Sequence, residues 1–143
     1  MNEVIVVGTD GSATAKLAVE RAGALAKLMG ARVELVSGYR DDQTLVLNAE
    51  MHRGEMPDEA RAAADACLAE AAEQLRSAGL EVETHCMRGD PATALIHVAE
   101  TTDANLIVVG SKGMHGSRRF LLGSVPNRVS HHAPCSVMIV RTD

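Results

Sequence analysis

The chain has 143 residues and a mass of 15.1 kDa, one domain's worth of polypeptide. With 46% hydrophobic and 23% charged residues it is not a disordered, highly charged chain, and no apolar run reaches the roughly 18 residues of a membrane span. A net charge of −5, one Tyr, one Phe and no Trp argue against a nucleic-acid binder, which needs basic charge and, for single strands, aromatic stacking platforms.

Val4 to Val7 is a continuous apolar run ended by Gly8, the pattern of a strand buried on both faces. Ser12 can cap the helix that follows. Ala15, Ala18, Val19, Ala22, Leu25, Ala26 and Met29 recur in it at helical spacing, and Gly30 ends the pattern. Val33 to Gly38 is a second strand. A loop of 18 residues, Tyr39 to Met56, follows and is long for a compact domain. Pro57 and Asp58 open the next helix, with Ala60, Ala64, Cys67, Leu68, Ala71, Leu75 and Ala78 as its inner stripe and Gly79 as its stop.

Leu80, Val82, Thr84 and Cys86 alternate with Glu81, Glu83 and His85, which suits a half-exposed strand at a sheet edge. Asp90 caps a helix with Pro91 at its first position. Ala94, Leu95 and Val98 face inward from it. Leu106 to Val109 is another buried strand, ended by Gly110. A glycine-rich loop runs from Gly110 to Gly123. Ser124 starts a short helix, Pro134 closes it off, and Ser136 to Val140 is the last strand. Regular alternation of strands and helices predicts an α/β fold: a parallel five-stranded sheet, doubly wound in three layers. Ligands of such sheets bind beyond the carboxyl ends of the strands, where the glycine loops fall. Residues 1–143 read as a single domain.

Charge is divided along the chain. From Ala104 to Thr142 there is no Asp or Glu, and Lys112, Arg118, Arg119, Arg128 and Arg141 give a net +5, while the remainder carries −10. A basic segment inside an acidic protein suits a small anion. Gly110-Ser111-Lys112-Gly113-Met114-His115-Gly116, then Gly123-Ser124 at a helix start, is the chemistry of phosphate binding. Glycines let backbone N–H groups approach an anion, and the helix N-terminus adds free N–H groups. Ser124 can either cap that helix or bond a phosphate oxygen. Arg119 and Lys112 can neutralise charge. The plainer alternative is a mobile loop with an ordinary serine cap. The loop has neither the Walker A nor the dinucleotide spacing. Asp10, just past the first strand, can accept a ribose hydroxyl or hold a phosphate-bound metal, or it can simply shape a turn with Gly11.

These motifs resemble the universal stress protein family, single-domain nucleotide-binding type. Gly110, Gly113, Gly123 and Ser124 match the family's G-x2-G-x9-G-[ST] phosphate motif. Val6-Val7-Gly8-Thr9-Asp10-Gly11-Ser12 is similar to its first strand and Asp-bearing turn, and Gly89-Asp90-Pro91-Ala92 to the entry of its third helix. The resemblance implies an adenine nucleotide alpha hydrolase-like fold with strand order 3-2-1-4-5. It also implies ATP or a related adenine nucleotide, with Mg²⁺ as a possible companion, and a homodimer through the last strand.

Carried onto this chain, the resemblance puts Asp10, beside Gly8 and Thr9, on the ribose or metal side. Gly110, Gly113, Gly116, Gly123 and Ser124 cradle phosphates. Ser111, Lys112, Met114, His115, Arg119 and Val125 complete the loop and helix start, and Gly38 lies near the adenine. The usual Arg-Thr of the loop is Met114-His115 here. The function implied is a stress sensor or regulator without a catalytic residue, and three widely spaced cysteines without a CxxC read as those of a cytoplasmic protein. A slow Mg-dependent ATPase, a cyclic-AMP-binding member and a nucleotide-free dimeric interaction module are the alternatives.

Other candidates point to structure. His131 and His132, adjacent on a helix, diverge by about 100° and suit a helix C-terminus better than a metal. Cys67, Cys86 and Cys135, three and widely spaced, are read as small buried hydrophobes. Ser12, Ser111 and Ser124 have no evident His-Asp partners for a nucleophilic triad.

Overall fold

The computed structural model of the protein describes residues 3–39, 55–111 and 123–141. Strands and helices alternate along them: β1 (Val4–Gly8), α1 (Ala13–Met29), β2 (Arg32–Tyr39), α2 (Glu55–Ser77), β3 (Val82–Arg88), α3 (Pro91–Thr101), β4 (Leu106–Gly110), α4 (Ser124–His132) and β5 (Ser136–Val140). The five strands form one parallel sheet in the order β3-β2-β1-β4-β5.

The central strands are apolar on both faces because helices cover both. Ile5, Val7, Val33, Leu35 and Val108 pack under α1 and α2. Val6, Val36, Ile107 and Val109 pack under α3 and α4. The order reverses between β1 and β4, so their carboxyl ends open on the crevice that such a switch creates.

Helix ends follow the sequence signals closely. Ser12 caps α1 by accepting from Ala15 N at 3.2 Å, and Gly30 ends it in the left-handed region at φ +67°. Asp90 caps α3, accepting from Thr93 N at 3.1 Å with Pro91 in the first turn.

Several boundaries and burial expectations shift. α2 begins at Glu55, two residues before Pro57, because a first turn needs no N–H from proline. β2 runs one residue past Gly38 to Tyr39, held by Arg88 in register and by Gly89 N donating to Tyr39 O at 2.7 Å. The predicted Tyr39–Met56 loop is therefore shorter at both ends, and its interior lies outside the described residues. β3 starts at Val82, not Leu80, because Leu80 N closes the end of α2 on Leu75 O.

Met29 and Ala78, placed on inner stripes by periodicity, are exposed beyond the sheet, and Ala15 is half-exposed. The three cysteines are free and half-buried rather than buried. His131 and His132 do occupy the last turn of α4, and both are exposed. No helix among the described residues is long and apolar enough to cross a membrane.

One buried charge had no counterpart in the sequence reading. Glu34, in β2, is 3% exposed on the face that packs under α3. Arg32 Nε donates to it at 3.2 Å and His85 Nε2 lies 3.0 Å away.

Candidate functional site

β1 delivers the chain to the switch point as Gly8-Thr9-Asp10. Thr9 N extends the strand ladder by donating to Val36 O at 2.9 Å. The chain then turns. Gly11 N donates to Thr9 Oγ1 at 3.2 Å, and Ser12 N donates to Asp10 Oδ1 at 2.9 Å. Gly11 sits at φ +81°, and a Cβ there would lie 2.5 Å from Cys67 Sγ. Only glycine serves both the backbone angle and the approach of α2. Asp10 therefore does shape its turn, through one carboxylate oxygen, while remaining exposed at the crevice.

β4 ends at Gly110, and Ser111 N donates to Val140 O at 2.8 Å. Ser111 O in turn accepts from Gly123 N at 2.9 Å, so the two ends of the glycine-rich loop are tied together. Gly123 is the N-cap of α4 and makes no side-chain cap bond. Of the two roles open to Ser124, capping falls away: it is the first helical residue, and its side chain is exposed at the crevice. Pro126 has no N–H, and Asn127 N bonds Gly123 O at 3.1 Å. The first turn thus offers the N–H groups of Ser124 and Val125.

These elements enclose a cleft of about 160 Å³. Gly8, Thr9, Asp10, Gly38, Gly110, Ser124 and Val125, all expected at the site, line it together. Ser111 and Gly123 are not among its lining residues and form the tie just described. Lys112, Gly113, Met114, His115, Gly116 and Arg119 lie outside the described residues. Val36, Pro91, Leu95 and Val109 give the cleft an apolar floor, and the first turn of α1 adds Ser12, Thr14 and Ala15. Sequence reasoning missed the floor, because a valine or leucine at the end of a buried element reads the same whether it faces core or ligand.

Gly38 shapes the floor. A Cβ there would lie 2.9 Å from Pro91 Cα and 3.2 Å from Gly89 O, so the missing side chain lets α3 close onto the end of β2. In chemical terms the cleft has an apolar slot, a carboxylate, and helix N-termini with hydroxyls. That suits a flat base joined to an anion. Asp10 is the only titratable side chain among the described lining residues, and no three His, Cys, Asp or Glu among the described residues gather as a metal-ligand group.

Comparison with known proteins agrees with this architecture. The model of the universal stress protein family matches residues 1–141. A putative universal stress protein of Staphylococcus aureus (strain USA300) is 30% identical over 141 residues, covering 97% of this chain and 84% of its own. A universal stress protein solved in complex with cAMP is 33% identical, with a TM-score of 0.74 over 99% of this chain and 98% of its own. The universal stress protein UspA from Lactobacillus plantarum, at 23% identity, shares the fold with a TM-score of 0.85 over 97% of each chain. The sheet order and its flanking helices are those of the adenine nucleotide alpha hydrolase-like fold. The chain belongs to the universal stress protein family.

Proposed function

We propose that this protein binds an adenine nucleotide in the cleft and acts as a stress sensor or regulator. The observation that carries the reading is the convergence of Gly8, Asp10, Gly38, Gly110 and the first turn of α4 on one apolar-floored cleft at the switch point. ATP fits the glycine motif between Gly110 and Ser124. Cyclic AMP is the second reading, favoured by the 33% identical relative solved in complex with it. Mg²⁺ fits a site with one carboxylate, since that ion commonly takes one or two protein oxygens and completes its shell with phosphate and water. Asp10 would hold it, and the ion would supply charge neutralisation at the phosphates.

A regulator is favoured over an enzyme. Fast phosphoryl transfer needs a residue to orient or deprotonate the nucleophile. Asp10 already gives one oxygen to Ser12 N. The protein works as a cytoplasmic homodimer in this reading. Calorimetric titration with ATP, AMP, cyclic AMP and GTP, with and without Mg²⁺, tests it. Binding of an adenine nucleotide in preference to GTP is expected, and failure of all three adenine nucleotides to bind overturns it. Steady-state phosphate release separates a regulator from an ATPase.

A further inference from the structure

The cleft wall that carries Ser124, Val125 and Pro126 belongs to a helix of nine residues whose glycine cap supplies no side-chain hydrogen bond. Such a helix does not hold its own first turn firmly, because short helices draw their stability from tertiary contacts. One of those contacts sits one turn further along. Arg128 follows Ser124 by four residues and so lies on the same side of α4. Its Nη1 donates to Asp90 Oδ2, and its Nη2 donates to Thr93 Oγ1 at 3.4 Å. The same Asp90 oxygen accepts from Thr93 N at 3.1 Å and from Thr93 Oγ1 at 3.2 Å. Asp90 is thus both the cap of α3 and the anchor of α4.

The anchor reaches the cleft from both ends. Pro91, next to Asp90, is pressed against Gly38 in the floor, and Ser124, one turn before Arg128, also lines the cleft. We propose that Arg128, through Asp90, is a positioning residue of the nucleotide site: it fixes the N–H groups and hydroxyl at the start of α4 relative to the floor beneath α3. The inference rests on the nucleotide reading given above. Arg128 touches no ligand in it and acts through the placement of Ser124 and Val125. Its side chain is 49% exposed, so the ion pair adds little to global stability. Its loss therefore registers in ligand placement before it registers in unfolding.

The test compares wild type, Arg128→Ala, Arg128→Lys and Asp90→Asn, the last keeping an acceptor for the α3 cap. Each is titrated calorimetrically with ATP and with cyclic AMP. The thermal midpoint of the unliganded protein and the exchange of the Asn127 amide, which bonds Gly123 O, are followed alongside. Arg128→Ala should weaken the nucleotide that wild type binds by roughly threefold to tenfold. Its unliganded midpoint should stay within about 2 °C and its Asn127 amide should exchange faster. Arg128→Lys should recover most of the affinity, and Asp90→Asn should resemble Arg128→Ala. Wild-type affinity in Arg128→Ala, or a lowered midpoint with unchanged affinity, overturns the positioning role alone. A wild type that binds neither nucleotide overturns the reading of the site, and this inference with it.

Discussion

His85 Nε2 lies 3.0 Å from Glu34 Oε2, and this contact, with Arg32 Nε at 3.2 Å, is what makes a carboxylate tolerable in the middle of the sheet. Glu34 is paired in register with Val6 on one side and Glu83 on the other. The second pairing puts a like charge beside it, which is unfavourable. A buried carboxylate is costly unless it is both paired and hydrogen-bonded.

Breaking the pair and replacing the acid should therefore differ. His85→Ala leaves Glu34 buried with Arg32 alone and should cost about 1–3 kcal/mol. Glu34→Val removes the charge, places a β-branched side chain beside Val6 and Val36, and leaves His85 and Arg32 free to turn to solvent. It should cost less than His85→Ala, although it deletes the centre of the cluster. Urea denaturation of both variants checks the order. A Glu34→Val protein less stable than His85→Ala would show that the cluster adds more than it costs.

Asp10 is open to a substitution that separates its two roles. Asp10→Asn keeps a side-chain oxygen for Ser12 N and removes the charge. Asp10→Ala removes both. If the carboxylate serves nucleotide or metal, Asp10→Asn should lose affinity and most of any Mg²⁺ dependence while its thermal midpoint stays near wild type. Asp10→Ala should lose a further turn bond, about 0.5–1.5 kcal/mol. Equal nucleotide affinity in Asp10→Asn and wild type, measured calorimetrically, would leave Asp10 with the turn alone.

Much of the fold was legible because its signals are local. Ser12, Gly30, Asp90 and Pro91 each act within one helical turn, so the ends they mark were readable. The turn at Asp10 was readable for the same reason. Glu34 was not, because its partner His85 is 51 residues away and only strand pairing brings them together. The floor at Pro91 and Leu95 was hidden likewise. It depends on α3 closing onto Gly38, and no spacing within either segment encodes that approach. Arg128 read as one more charge of a basic segment, although its partner in the fold is an acid from another helix.

The thiols make a separate test of how the elements pack. Burial, then the hydrogen bond its thiol donates to Asp65, raises the pKa of Cys86, and burial raises that of Cys135. Both should stay protonated at neutral pH and alkylate slowly with iodoacetamide, since the thiolate is the nucleophile. Their rates should climb only as pH passes above the ordinary thiol range. The folded state holds these protons more tightly than the unfolded chain does. Stability is thus full below the unfolded thiol value and falls as pH rises through the folded one. Peptide mapping after a timed alkylation reads each site, and fast modification of Cys86 at neutral pH would contradict its contact with Asp65.

Dimerisation through β5 is the last expectation, and the sheet order makes it concrete. β5 is an edge, bonded to β4 on one side. Val137, Met138 and Ile139 remain half-buried although the strand is apolar on both faces. No proline or charge inside Ser136–Val140 blocks pairing, whereas the opposite edge, β3, carries the exposed Glu83. An open apolar edge recruits another strand. The same strand of a second copy would pair antiparallel about a two-fold axis and leave no free edge there. Ile139 sits opposite Val109 and also packs against the core under α4, so Ile139→Lys strikes both the contact and the subunit. Its thermal midpoint must therefore be followed with its mass. Sedimentation equilibrium at roughly ten to a hundred micromolar, about −5.5 to −6.8 kcal/mol of association, should give a dimer for wild type. A folded Ile139→Lys should give a monomer. A monomeric wild type over that range would end the proposal whatever the variant does.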